Sequence, residues 1–71
     1  MYGVGEIGGR GVVYRAKGDF GKAIADFAEA IRLNPKYAEA YCNRGLAYKK
    51  QGDSRKADED SARAKEVGFR P

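Results

Sequence analysis

Gly18-Asp19-Phe20-Gly21-Lys22-Ala23-Ile24-Ala25-Asp26-Phe27-Ala28-Glu29-Ala30-Ile31-Arg32-Leu33-Asn34-Pro35 is the stretch from which the fold follows. Phe20, Ala23, Ile24, Phe27, Ala30 and Ile31 recur at three- and four-residue steps, which places them on one stripe of an α-helix. Lys22, Asp26, Glu29 and Arg32 fall on the opposite face and are expected in solvent. Asp19 is the expected N-cap, because its carboxylate can accept backbone N–H groups that the first helical turn leaves without partners. Asn34-Pro35 is the expected stop. A proline disfavours helical geometry in the residue before it and suits the opening turn of a new helix. The apolar stripe needs partners, and the flanking sequence supplies them.

Upstream, Gly3, Gly5, Gly8 and Gly9 interrupt any helix at a cost of roughly 0.8–1 kcal/mol per interior glycine. Residues 1–6 are therefore expected to be a frayed segment, with a first helix firm from about Gly9 or Arg10 to Lys17. Downstream, a third helix is expected over about Lys36–Lys50, carrying Tyr37, Tyr41, Leu46 and Tyr48 among alanines. Gln51-Gly52-Asp53 repeats the turn at Lys17-Gly18-Asp19. A fourth, more polar helix is expected over about Ser54–Val67, with Gly68 as its C-terminal cap and Phe69 folding back on the last turn.

Shifted by 34 residues, the chain matches itself. Arg10, Gly11, Tyr14, Gly18, Asp19, Lys22, Ala23, Asp26, Ala28 and Ala30 meet Arg44, Gly45, Tyr48, Gly52, Asp53, Lys56, Ala57, Asp60, Ala62 and Ala64. Ordinary residue frequencies would give about one or two identities over this span. A two-helix unit with this period marks a helical array.

In these residues the chain resembles the tetratricopeptide repeat family. The family pattern of an aromatic, an apolar residue, Gly, Tyr, Ala, Phe and Pro falls on Ile7, Arg10, Gly11, Tyr14, Ala23, Phe27 and Pro35 in the first unit. In the second it falls on Tyr41, Arg44, Gly45, Tyr48, Ala57, Ser61 and Phe69. The resemblance implies an all-α fold, an α-α superhelix of two antiparallel helix-turn-helix hairpins at residues 7–35 and 36–69. The glycines would let paired helices approach closely, and Phe27 would plug the gap towards the next unit. Arg10 and Arg44 depart from the pattern, although their aliphatic stems can pack. Ser61 replaces the second plugging aromatic and Phe69 the second proline, so the last helix resembles a polar cap.

The resemblance also implies a function. In this family the first helix of each pair lines a concave groove that holds an extended peptide or a partner's helix. The implied groove residues are Val12, Arg15 and Ala16 in the first unit, with Glu39, Cys42, Asn43, Leu46, Lys49 and Lys50 in the second. Helical spacing puts the second set on one face. The cations Arg15, Lys49 and Lys50 favour an acidic segment or a C-terminal carboxylate. Asn43 matches an asparagine with which some chaperone-tail-binding members hold a carboxylate, whereas Gly8 stands where such members carry a lysine.

Composition narrows the field. The 71 residues allow one small domain. With no histidine and one cysteine, Cys42, there is neither a Cys/His metal site nor the usual general base, and no cofactor or enzymatic activity is expected. The segment Gly5-Glu6-Ile7-Gly8-Gly9-Arg10-Gly11 lacks the Lys-Ser/Thr ending of a phosphate loop. No apolar run is long enough to span a membrane, the N-terminus lacks the order of a signal peptide, and a cytoplasmic setting is the default. The net charge of +4 is interleaved with acids and forms no stripe, which argues against nucleic acid. The expected function is a protein-interaction module that also self-associates as a homo-oligomer. The alternatives are a purely structural self-assembly element and a basic nucleic-acid-binding helical domain. Two repeats leave apolar faces uncovered, and about three are usually needed for stability.

Overall fold

The structure, a computed structural model, describes residues 4–68, with side chains from Ile7 onward. Four helices follow one another: α1 (Val4–Ala16), α2 (Phe20–Leu33), α3 (Ala38–Lys50) and α4 (Ser54–Glu66). There is no strand among the described residues. α1 packs antiparallel on α2, α3 does the same on α4, and α2 joins the two hairpins by packing on α3. Residues 1–3 and Phe69, with its expected fold-back, lie outside the described residues.

The two hairpin turns are built alike. Gly18 and Gly52 hold φ of +84° and +86°, a left-handed conformation that costs other residues a Cβ clash. In each, the glycine N–H donates to the carbonyl three residues back, and the aspartate N–H donates to the tyrosine carbonyl five residues back. Gly18 N to Arg15 O is 3.0 Å and Asp19 N to Tyr14 O is 2.9 Å; Gly52 N to Lys49 O and Asp53 N to Tyr48 O repeat these distances. This is the Schellman ending of a helix. The same aspartate then starts the next helix: the Asp53 carboxylate accepts from Lys56 N at 3.2 Å, and Asp19 stands in the same relation to Lys22 N. One Gly-Asp pair thus closes one helix and opens the next.

The connection between hairpins works differently. Asn34 is extended (φ −143°, ψ 92°), as a residue before proline should be. Its side-chain oxygen accepts from Lys36 N at 3.2 Å, and the Tyr41 hydroxyl donates to the Pro35 carbonyl at 3.1 Å. These bonds engage Pro35 and Lys36, the Tyr37 N–H donates to the Asn34 carbonyl at 3.0 Å, and α3 begins at Ala38 rather than at Lys36.

α1 differs most from the sequence expectation. It begins at Val4, ahead of the Gly9–Arg10 start that helix propensity gives. Tertiary packing overrides propensity here. A Cβ on Gly8 would lie 3.0 Å from the Tyr37 hydroxyl oxygen, and one on Gly11 would lie 2.8 Å from Cε1 of Phe27. These glycines are costly in an isolated helix, and they let aromatic rings settle directly on its backbone.

Phe27 is the only large side chain among the described residues that is fully buried, and it sits among Gly11, Ala23 and Ala30 at the hairpin core. Its ring lies against Gly11 of its own hairpin. Ile7, Ala30 and Ala40 form the cluster where the hairpins meet, flanked by Ile31 and Tyr37. Leu33, at the end of α2, stays exposed.

Asp26 does not face open solvent as the helical wheel implies. It accepts two bonds from the Arg10 guanidinium, at 3.0 and 3.1 Å. Arg44 and Asp60 make the same pair in the second hairpin, at 2.9 and 2.7 Å. Side-chain exposure is 46% and 13% for Arg10 and Asp26 but 22% and 6% for Arg44 and Asp60. The Arg44 guanidinium is held above its ordinary pKa, chiefly because it donates to the Asp60 carboxylate. The arginines that replace the family's apolar residue therefore bridge the two helices of each hairpin with a bidentate bond.

Candidate functional site

The sequence-derived groove residues fall on α1 and α3, the first helices of the two hairpins. One direct bond links the two rows. The Arg15 guanidinium donates to Oδ1 of Asn43 at 3.3 Å, and both side chains are half-buried. Asn43 is neutral, so the charge of Arg15 is not cancelled. With its oxygen turned to Arg15, the amide of Asn43 has its NH2 donors to offer a ligand. An arginine and an amide donor side by side, with Lys49 and Lys50 exposed about two turns further along α3, form a surface suited to carboxylates. Neither lysine makes an ion pair of 4.0 Å or less among the described residues.

The other residues are distributed around this pair. Val12 and Ala16 are exposed on α1, Glu39 is exposed at the start of α3, and none of the three makes a polar side-chain bond among the described residues. Cys42, Leu46 and Lys49 face a second concavity. With α4 they line a cleft of about 380 Å³, to which α1 contributes no lining residue. Cys42 is a free, half-buried thiol.

The wall that α4 contributes to this cleft was not picked out from the sequence. It comprises Ser54, Asp58 and Ser61, the counterparts of Phe20, Ile24 and Phe27 in the 34-residue register. The replacement of Phe27 by Ser61 was visible in that register. The two companion changes at Ser54 and Asp58 were visible too, and together they signal a polar wall.

Among the described residues no group of acids and thiols could hold a metal ion. No described helix is long and apolar enough to cross a membrane.

Two hairpins of this length, with Gly-Asp turns in identical geometry, are the architecture of a helical repeat, and comparison with known families fits it. A family profile described as TPR repeat matches residues 11–52, and a second, described as Tetratricopeptide repeat, matches residues 38–67. The chain belongs to the tetratricopeptide repeat family. A search of curated proteins returns no match. Tetratricopeptide repeats mediate protein–protein interaction in general, and this places the chain among protein-binding scaffolds. In the tetratricopeptide frame α1 and α3 are the first helices of successive repeats, so Arg15 and Asn43 join equivalent helices across the repeat boundary.

Proposed function

We propose that this tetratricopeptide repeat chain binds an acidic protein segment, or a C-terminal carboxylate, along the α1–α3 face. The observation that carries the reading is the Arg15–Asn43 bond across the repeat boundary, with Lys49 and Lys50 in solvent about two turns further along α3. Arg15 supplies an uncancelled charge, Asn43 supplies amide donors, and the lysines steer an acidic ligand towards them. Both central side chains are already held by one another, so a ligand spends little entropy on ordering them.

The test is fluorescence anisotropy with a labelled acidic peptide ending in a free carboxylate, titrated with the parent and with the Lys49→Glu/Lys50→Glu variant. The expected result is affinity about tenfold or more weaker in the variant, with an unchanged helical circular dichroism spectrum. Unchanged affinity would return the lysines to the role of solvated surface. Equal binding of a nucleic acid of similar charge, abolished by moderate salt, would favour the nucleic-acid reading instead.

Self-association is the second part of the reading. Val13 on α1, in the first repeat, and Leu46 on α3, in the second, are 52% and 47% exposed. A second copy covering either residue would shield it. Light scattering over a dilution series in reductant, which excludes a Cys42–Cys42 bridge, should show a mass rising with concentration. A constant mass of one chain would refute self-association and leave peptide binding standing.

A further inference from the structure

The first hairpin is a template for the second, and the difference between them defines a site. In the first, the ring of Phe27 lies on Gly11 beside Ala23, and α3 packs over the hairpin. In the second, Gly45 and Ala57 keep the glycine and alanine of that floor, and Ser61 stands where the ring should rise. The wall has changed with it, since Ser54 and Asp58 replace Phe20 and Ile24. What remains is the cleft of about 380 Å³ between α3 and α4, with a floor of small residues and a polar rim.

An apolar helix is a poor occupant for this cleft. It would take Asp58 and two serine hydroxyls out of water without partners. The rim instead suits a group that is apolar in body and polar at its tip. Lys49 lines it on the α3 side, in the register of Arg15, and Asp58 lines it on the α4 side. Neither makes an ion pair among the described residues. Elsewhere in the chain, cations sit over tyrosine faces. Lys22 Nζ is 5.6 Å from the Tyr14 ring centre, and Lys56 Nζ is 5.3 Å from that of Tyr48. A ring on the floor of the cleft would offer Lys49 the same π-face. Its hydroxyl would donate to the Asp58 carboxylate.

We infer that this cleft is an anchor site for one tyrosine side chain of a partner protein, its ring taking the space left by the Phe27-to-Ser61 difference between repeats. The site shares Lys49 with the acidic-segment face and differs from it in its α4 wall of Ser54, Asp58 and Ser61, which plays no part there. Tyrosine is favoured over phenylalanine because only the phenol satisfies Asp58. The ring brings the area, and the hydroxyl brings the selectivity.

The experiment uses the intact chain and a glycine- and serine-rich peptide bearing one central tyrosine, with phenylalanine and alanine versions as controls. Binding is read from amide chemical shifts of Gly45, Leu46 and Ser61, and from the rate at which the single thiol, Cys42, is alkylated. The expected result is shifts centred on these residues and slowed alkylation, with tyrosine binding about five- to tenfold tighter than phenylalanine and alanine not binding. Ser61→Phe should block the site while leaving the helical spectrum and the acidic-peptide affinity unchanged, so failure here is distinct from failure of the acidic-segment reading. Asp58→Ala should erase the preference for tyrosine and keep phenylalanine binding. Equal binding of the tyrosine and alanine peptides, or full binding to Ser61→Phe, overturns the inference. So does N-acetyltyrosinamide binding as tightly as the tyrosine peptide, because the cleft would then be a site for small phenols rather than for a protein segment.

Discussion

Replacing Asp60 with alanine should cost far more stability than replacing Asp26, although each aspartate does the same job in its own hairpin. Each accepts two bonds from the arginine sixteen residues earlier. The difference lies in water. Arg10 is 46% exposed and can recover hydration when Asp26 is lost, whereas Arg44 is 22% exposed and Asp60 only 6%. Removing Asp60 leaves a cation 5.7 and 5.9 Å from the ring centres of Tyr41 and Tyr48, with little solvent to replace its partner. Breaking a fully buried pair costs about 3–5 kcal/mol; allowing for the residual exposure of Arg44, Asp60→Ala should cost about 2–4 kcal/mol. Asp26→Ala should cost about 1 kcal/mol, near the range of exposed pairs. At roughly 4–8 °C per kcal/mol for a domain of this size, the Asp60 variant should melt about 10 °C or more below the parent and the Asp26 variant by about half that or less. Urea unfolding followed by circular dichroism at neutral pH measures both. An Arg44→Leu/Asp60→Leu double variant should recover most of the loss, because apolar residues of similar size remove both desolvated charges together. Equal losses in the two single variants would refute the argument from burial. Failure of the double variant to recover would show that the bidentate bond itself, rather than an abandoned charge, carries the effect.

Other outcomes follow from the packing. Phe27→Ala should cost about 3–5 kcal/mol, enough to unfold a domain with little stability in reserve, and a melt within a few degrees of the parent would refute its central place. Gly9→Ala should stabilise by about 0.5–1 kcal/mol, since nothing lies within 4 Å of the new methyl group, while Gly11→Ala should destabilise by about 1–3 kcal/mol against the Phe27 ring. The same sign for both in urea unfolding would contradict the docking of α1. The Glu29 carboxyl is held below its ordinary pKa, chiefly by a hydrogen bond from Arg32. A depressed folded-state pKa gives stability that is present above the ordinary carboxylate value and lost as pH falls through the folded one, so Glu29→Gln should flatten the acid limb of the melting curve. An unchanged acid limb would leave that pair without effect.

The parts of the fold that local chemistry controls were legible in the sequence. Asp19 and Asn34-Pro35 bounded α2 correctly, and Gly18 and Gly52 marked turns that need positive φ. The repeat then placed the helices in pairs. What local signals could not show was the start of α1, because Gly8 and Gly11 are unfavourable in a helix until Tyr37 and Phe27 rest on them. A helical wheel likewise put Asp26 in solvent, since it knows nothing of the arginine on the neighbouring helix. The duplication of both Arg10 and Asp26 at Arg44 and Asp60 was the available clue, because a pair is kept together when its members touch. At the candidate site, the Arg15–Asn43 bond depends on how the two hairpins are set against each other, which no single helix encodes.

The most direct test of the acidic-segment reading is a chemical-shift map of the chain titrated with an acidic peptide that ends in a free carboxylate. The largest shifts should fall on Arg15, Asn43, Lys49 and Lys50, and the side-chain amide of Asn43 should move with the backbone signals. Shifts confined to the α2 or α4 surface, or none at saturating peptide, would contradict the assignment of the α1–α3 face as the binding surface.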